Sequence, residues 1–523
     1  MESEFERQWR MARMLENEGR IPEAQAIYEA LLQADPERLY VRMRLSVIEQ
    51  ARGDYRAARD HALRCADAVR TTRWKDLSAV TRRLLTFDEQ DLACELILGA
   101  DWQHPEIIRS SPALSQHLWL SNRVEQALAL IQAAEARAMP SHLLHYSKGN
   151  VLRYLGRMDE AAEEYERCIA LVPDFAYAHW SLASHRKAST PGARIARIES
   201  AKAGNPPEEQ PFLDYALFRE HDDAGHTERA WASLMSGATA KRASLTYDPQ
   251  AEDAGFRMLE GMTAHAFEPT HLGDASPARV PIFILGMPRT GTTLLERILG
   301  GHGDVEAGGE LNDFESALSL ATNRFLRRYA TPEAIEALQA ADFAEVGRTY
   351  LQRTDSRTGG KRFLTDKNPA NFVHAGFIAK ALPNARILCL RREPMDACWS
   401  NMKELFANDA YPYSYGQAEL ADHYLRFDRL CTHWKAALPG RFLDVQYESL
   451  VTDTERVVRE VLAFCGLPFQ PECLDITGNT APVATASSSQ VRQPINTRGI
   501  GAWRKYETFL DPLRTRLETG AHA

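Results

Sequence analysis

The sequence lacks an apolar run long enough to cross a bilayer, and its first twenty residues are charged throughout, without the apolar stretch of a signal peptide. It also lacks the basic excess typical of nucleic-acid-binding proteins, since 71 acidic residues outweigh 62 Lys and Arg to give a net charge of -9. We therefore expect a cytoplasmic protein with no membrane span and no nucleic-acid partner. A local basic pocket for one small anion remains compatible with this charge.

Cysteine pairs at metal-binding or redox spacing are absent as well. The eight cysteines are scattered, and no two of them form a C-x-x-C pair. This distribution predicts buried, reduced thiols in place of a disulfide framework or a zinc site. The cysteines are Cys65, Cys94, Cys168, Cys389, Cys398, Cys431, Cys465 and Cys473.

The first half of the chain contains an internal repeat. Five segments align on a small residue with steps of 34, 35, 34 and 34 residues, a period typical of tetratricopeptide helix pairs. An aromatic or apolar residue often follows four positions later, as at Tyr28 and Tyr165, and Pro36 and Pro173 are expected to end second helices. The aligned residues are Ala24, Ala58, Ala93, Ala127 and Ala161, with a weaker match at Ala230. Such repeats either bind a peptide or protein partner or serve as a scaffold, and the sequence leaves both open.

The second half changes to short apolar runs that alternate with helical patterns. Strands are predicted at "VPIFILG", "RFLTD", "ARILCLR" and "RFLDVQY", which indicates a parallel sheet covered by helices on both faces. The predicted organisation is a helical repeat domain over 1–245, a linker over 246–279 and an α/β domain over 280–515. Within that linker, "FEPTHLGDASPAR" is rich in Pro, Gly, Ser and Asp.

The stretch "PIFILGMPRTGTTLLERILG" has the layout of a phosphate-binding loop. Gly286 and Gly291 have the spacing G-x-x-x-x-G, so backbone N–H groups and the following helix N-terminus can form an anion site. The lysine that a nucleoside triphosphate loop carries before its Ser/Thr is absent, and "RILCLRR" ends in arginines instead of a magnesium-binding aspartate. We therefore expect a nucleotide held without metal, with Arg289 supplying the missing charge.

A second anion element is suggested by "LRREPMDACWSN". Arg392 ends a predicted strand, and Ser400 follows eight residues later within the next helix. Two donors at this separation could converge on one phosphate group.

Together these motifs resemble the sulfotransferase family, which uses 3'-phosphoadenylyl sulfate (PAPS) and releases 3',5'-adenosine bisphosphate (PAP). The resemblance covers Pro281 to Tyr506. "PRTGTT" is similar to the family's loop for the 5'-phosphosulfate, and "RREPMDACWS" to its 3'-phosphate element. "GGEL", "TDKNP" and "SSSQVRQPIN" resemble the protein-tyrosine sulfotransferases and bacterial proteins that join tetratricopeptide repeats to this domain.

The resemblance implies roles for individual residues. Glu310 would be the general base, with His302 as the fallback base, while Lys367 and Ser487 would stabilise developing charge together with Arg289. The implied cofactor-binding residues are Arg289, Thr290, Gly291, Thr292, Thr293, Arg392, Ser400, Tyr447 and Arg498. The segment "RGIGAW" resembles one that closes over the cofactor, and no metal is implied.

Two departures concern the acceptor. The tyrosine-type enzymes have an arginine where this chain has Asn312 and a lysine where it has Ala502. The acceptor hydroxyl could therefore belong to a peptide tyrosine, a sugar or a small metabolite. Two other functions stay open: a non-catalytic repeat scaffold with a nucleotide-binding module, and a kinase with an altered loop.

Overall fold

The computed structural model describes residues 3–70, 74–272, 279–326, 330–478 and 493–520. Its first part is helical, as the repeat pattern predicts. The helices are α1 (Glu4–Asn17), α2 (Ile21–Ala34), α3 (Leu39–Arg52), α4 (Tyr55–Val69), α5 (Leu77–Leu85), α6 (Gln90–Leu98), α7 (Pro105–Leu120), α8 (Val124–Glu135), α9 (His142–Tyr154), α10 (Met158–Leu171), α11 (Ala176–His185), α12 (Ile195–Gly204), α13 (Gln210–Asp223), α14 (Thr227–Ala243) and α15 (Pro249–Glu260).

The repeat prediction is confirmed by helix pairs. Each aligned alanine lies buried in the second helix of a pair, namely α2, α4, α6, α8, α10 or α14, which packs against the helix before it. In "GDYRAARDHA", Gly53 has a φ of 81° at the end of α3, and Asp54 caps α4 by accepting from the N–H of Ala57. The helices α2 and α10 end two residues before Pro36 and Pro173.

The second part contains a five-stranded parallel sheet. Its strands are β1 (Val280–Gly286), β2 (Val305–Ala307), β3 (Phe363–Asp366), β4 (Arg386–Arg391) and β5 (Phe442–Gln446). They lie in the order β2-β3-β1-β4-β5. The four predicted strands are confirmed, and β2 was missed because three residues of "VEA" carry almost no periodicity.

Further helices lie between and after the strands in the chain. They are α16 (Thr292–Leu299), α17 (Asp313–Thr322), α18 (Pro332–Gln339), α19 (Phe343–Arg353), α20 (Ala375–Ala381), α21 (Pro394–Met402), α22 (Gln417–Ala437), α23 (Tyr447–Thr452), α24 (Thr454–Cys465) and α25 (Asp511–Gly520). Alternate residues of β1, such as Ile282 and Ile284, form a buried cluster with Leu295 of α16 and Val458 of α24. Strand β1 is central: β2 and β3 lie on one side of it, and β4 and β5 lie on the other. Open α/β sheets bind ligands at the point where the strand order changes sides in this way.

The chain divides into two compact units. One comprises residues 1–140 and 315–326, and the other comprises residues 141–314 and 327–523. The helices α9 to α16 and α18 to α25 thus share a unit with the sheet, while most of α17 belongs to the other unit. The domain boundaries near residues 245 and 280, which were predicted from the sequence, stay predictions.

Part of the predicted linker is a helix that packs on the sheet domain. Glu252 of α15 is buried, and its Oε2 accepts from the Tyr247 hydroxyl at 2.6 Å and from Nη1 of Arg426 at 3.2 Å. The same oxygen lies 3.1 Å from Nδ1 of His423. Arg426 and His423 both belong to α22, so this buried carboxylate joins α15 to the sheet domain.

The remaining composition-based expectations concern cysteines and membranes. All eight cysteines are buried free thiols, as predicted. Within the described ranges, no helix is both long and apolar enough to span a bilayer.

Candidate active site

The loop between β1 and α16 has left-handed or near-left-handed backbone at three positions. The φ angles are 151° at Gly286, 66° at Arg289 and 105° at Gly291. The helix α16 begins directly after Gly291 with the buried pair Thr292 and Thr293. Positive φ angles directly before a helix N-terminus are typical of backbone loops that bind anions.

Side-chain hydrogen bonds hold the loop in place. The Thr290 hydroxyl donates to the carbonyl oxygen of Met287 at 2.7 Å. The Asn401 side chain on α21 donates to the carbonyl oxygen of Pro288 at 2.7 Å. Ser400, the predicted 3'-phosphate ligand, precedes Asn401 and is buried. The helix that carries Ser400 therefore also supports the loop.

Gly291 cannot carry a side chain without disturbing its surroundings. A Cβ there would lie 2.7 Å from Cδ2 of Tyr447, and the backbone conformation disfavours L residues. We expect Gly291→Ala to lower the free energy of unfolding by about 1–3 kcal/mol, through backbone strain plus this clash. Nucleotide affinity should fall about tenfold or more, because Tyr447 and the loop would have to separate.

The matched control is Gly440→Ala. Gly440 has a φ of 73°, but a Cβ there meets nothing within 4 Å, so this variant carries the strain without the clash. Thermal unfolding and nucleotide titration of both variants check the prediction. Unchanged affinity in Gly291→Ala would contradict it.

Arg392 links three segments around the loop. Its Nη1 donates to the carbonyl oxygen of Arg289 at 2.8 Å, and its Nη2 donates to the carbonyl oxygen of Gly499. Its guanidinium lies 4.5 Å from the centroid of the Tyr447 ring. Its Nε is buried and has no hydrogen-bond partner among the described residues, so a donor remains for a ligand.

The C-terminal segment that resembles a closing element lies against these residues. A Cβ on Gly499 would lie 2.7 Å from the hydroxyl of Tyr447. The N–H of Gly501 donates to Oδ2 of Asp396 on α21 at 2.6 Å. Arg498 itself is exposed. Within this segment, Gly499 lies next to Tyr447 and Arg392. The predicted ligand Arg498 faces solvent.

Lys367 and Glu310 form an ion pair at the same edge of the sheet. Lys367 directly follows β3 and is fully buried, and its Nζ donates to Oε1 of Glu310 at 2.6 Å. The N–H of Lys367 donates to the carbonyl oxygen of Gly309 at 2.9 Å. The Glu310 side chain is 43% exposed, so its carboxylate is held by the buried lysine and still accessible to a substrate.

Glu296 is a site residue that sequence reasoning missed. Its Oε1 accepts from the N–H of Gly309 and from the Thr365 hydroxyl, both at 2.9 Å. Burial raises the pKa of Glu296, and the charge of Lys367 opposes that rise. Since Glu296 lies on α16, it joins the helix after the loop to the turn before Glu310. An acid within a helical pattern normally faces solvent, so the sequence offered no signal for this contact.

His302, the fallback base, is engaged on both ring nitrogens. Its Nδ1 accepts from the N–H of Asp304 at 3.1 Å, and its Nε2 lies 3.1 Å from the carbonyl oxygen of Pro468. The residue is buried. This geometry favours a structural role over proton transfer. Ser487 lies outside the described residues.

Sequence comparisons match two parts of the chain to known families. Residues 281–471 match the sequence model of the sulfotransferase family, and residues 149–184 match that of the TPR repeat. Residues 281–471 form a sulfotransferase-family domain. This domain contains the loop, the ion pair, Arg392 and Tyr447, and the repeat region precedes it.

Two proteins of similar sequence and one solved structure show how much of this chain resembles known proteins. An uncharacterized protein of Aquifex aeolicus is 27% identical over 417 residues, covering 78% of this chain and 54% of that protein, so the chain spans about half of its length. A putative protein-tyrosine sulfotransferase of Caenorhabditis briggsae is 23% identical over 250 residues, covering 45% of this chain and 84% of that protein. The sulfotransferase domain of a Synechococcus olefin synthase aligns with a TM-score of 0.33 and 21% identity, covering 45% of this chain and 91% of that one.

Proposed function

We propose that this protein is a PAPS-dependent sulfotransferase that transfers a sulfuryl group to an acceptor hydroxyl and releases PAP. The observation that carries the proposal is the pair of Lys367 and Glu310, joined at 2.6 Å at the sheet edge that also bears the loop. A buried cation beside an accessible carboxylate supplies a proton acceptor and charge stabilisation in one place.

The residues of the loop fit the nucleotide of PAPS. The turn around Gly291 offers backbone N–H groups, and Arg289 and Arg392 bring two positive charges. The buried Nε of Arg392 is a donor suited to a phosphate oxygen. Ser400, buried on the helix after Arg392, is the proposed hydroxyl donor to the 3'-phosphate.

In the proposed reaction, Glu310 accepts the proton of the acceptor hydroxyl while the hydroxyl oxygen bonds to sulfur. The bond between sulfur and the bridging oxygen breaks, and that oxygen keeps the electron pair. Lys367 and Arg289 stabilise the resulting negative charge, which develops in the transition state. Glu296 holds Gly309 and thereby fixes the turn that carries Glu310. The proposed mechanism routes no step through a metal.

The acceptor is proposed only as a hydroxyl compound: a peptide tyrosine, a sugar or a small molecule. Relatives are named protein-tyrosine sulfotransferases, which favours a phenolic hydroxyl. At the position where those enzymes carry an arginine, Asn312 accepts a hydrogen bond from Asn368 at 3.3 Å. A neutral side chain there would not attract an acidic peptide. A protein partner on the repeat region is also proposed.

Calorimetric titration with PAP in the presence of EDTA tests the proposal. We expect binding that needs no divalent metal and that is at least tenfold tighter than binding of AMP, because two phosphates meet two arginines. ATP with magnesium serves as the comparison. Absence of PAP binding, or a preference for magnesium-ATP, would overturn the proposed function in favour of a scaffold or a kinase.

A further inference from the structure

Positive charges extend beyond the loop onto a helix of the repeat region. Nη2 of Arg219, on α13, donates to the carbonyl oxygen of Lys403 at 2.9 Å and lies 3.6 Å from Oε2 of Glu404. The same Oε2 lies 3.7 Å from Nε of Arg289 in the loop. One carboxylate thus stands between the arginine of the loop and the arginine of the repeat helix, within one compact unit.

Lys403 lies just after α21, among these cations. Its Nζ lies 5.7 Å from the centroid of the Trp399 ring, and the residue is half-buried. Burial lowers the pKa of Lys403 to about 7, and the charges of Arg219, Arg289 and Arg392 contribute to that decrease. Asp222 of α13 acts in the opposite direction.

The acids near this cluster are shared with other cations. Asp222 accepts from the Tyr506 hydroxyl at 2.7 Å and pairs with Lys505. Glu404 serves two arginines, as described above. A contact that only joined α13 to the sheet domain would match each cation with an acid, as Arg242 of α14 does with Glu419 at 2.7 and 2.8 Å. Among the described residues of this cluster, partly buried positive charges outnumber the acids, as is expected of an anion-binding site before its ligand binds.

We propose that Arg219 and Lys403 form an anion subsite beside the loop and bind a phosphate group of the nucleotide, so that helix α13 is part of the nucleotide site. This inference rests on the proposed function, because it takes PAP as the ligand. It adds a residue of the repeat region to a site that the loop motifs place entirely in the sulfotransferase domain. The repeat region would then contribute to cofactor binding, in addition to any partner it holds.

Titration of Arg219→Gln with PAP tests the subsite. We expect the dissociation constant to rise about tenfold or more, since a charge-assisted contact to phosphate is lost. Arg219→Lys should recover part of the affinity, because the charge remains. The matched control is Arg242→Gln: the two arginine side chains are similarly exposed, at 26% and 27%, and both connect a repeat helix to the sheet domain. Arg242→Gln should bind PAP within about twofold of the wild type.

A second experiment measures the number of protons taken up when PAP binds. A purely structural role of Lys403 would not change this number. A bound phosphate should raise the pKa of Lys403 from its value of about 7, so binding should take up a proton between the free and bound pKa values. The uptake should increase as the pH rises through the free pKa, because more of the free lysine is then neutral. Calorimetry in buffers of different ionisation enthalpy measures it, and Lys403→Gln should abolish it.

The outcomes separate the two proposals. If the wild type does not bind PAP, the proposed function fails. If the wild type binds PAP, equal affinity in Arg219→Gln overturns the subsite and leaves the proposed function standing. If Arg219→Gln does not fold, the Lys403→Gln comparison decides: proton uptake equal to that of the wild type overturns the subsite.

Discussion

Replacing Glu310 by glutamine is expected to lower the turnover number about 10²- to 10⁴-fold, with PAP affinity within about twofold of the wild type. Glutamine has the same shape and its carbonyl oxygen can still accept from Nζ of Lys367, but it cannot take a proton from the acceptor. Turnover is measured as PAP release from PAPS, with an acceptor found by screening phenols, tyrosine peptides and sugars.

The control for this change is Glu306→Gln. Glu306 is a partly exposed glutamate four residues earlier, and its Oε2 pairs with Nζ of Lys361 at 3.0 Å. The control removes one carboxylate from a similar ion pair on β2, without touching Lys367. We expect it to keep wild-type turnover. Equal turnover in Glu310→Gln and the wild type would exclude Glu310 as the base.

Replacing Arg392 by alanine is expected to weaken PAP binding by about 10- to 150-fold. The change removes a donor for phosphate and leaves the carbonyl oxygens of Arg289 and Gly499 without their hydrogen bonds. If Nε of Arg392 binds the 3'-phosphate, the affinity for AMP should fall much less. Calorimetric titration with both nucleotides measures the difference.

The neighbouring arginine supplies the control for Arg392. Arg391 is the last residue of β4 and directly precedes Arg392, but it pairs with Asp428 and lies over the Phe427 ring. Arg391→Ala should therefore bind both nucleotides as the wild type does. An equal loss for PAP and AMP in Arg392→Ala would instead assign Arg392 to holding the loop and Gly499 together.

The sequence predicted those parts of the fold that short-range patterns encode. The alanines at a period of about 34 mark helix pairs because each pair repeats the same local packing, and all six aligned alanines are buried. The loop was predictable because glycine is the residue that most readily adopts a positive φ angle, and both Gly286 and Gly291 have positive φ. Strand β2 is too short to leave a pattern.

The contacts that complete the site depend on residues far apart in the chain. Glu296 meets Thr365 across 69 positions, and Arg219 meets Lys403 across 184. No periodicity or spacing connects such residues, so only the fold reveals them. The resemblance to a family placed Lys367 and Glu310 in one reaction, and the structure brings these two side chains into contact. Their roles, like those of the other site residues, remain proposals.

The buried carboxylate of Glu252 has a consequence for how this domain can be recombined. His423 and Arg426 lie buried on α22, and their acidic partner comes from a helix outside the stretch that matches the sulfotransferase family. A segment cut at residue 280 and fused to another protein would lose this counter-charge together with the packing of α15 on α22. The smallest transferable piece therefore includes α15, and duplication or exchange of this domain in evolution would have to carry that helix along.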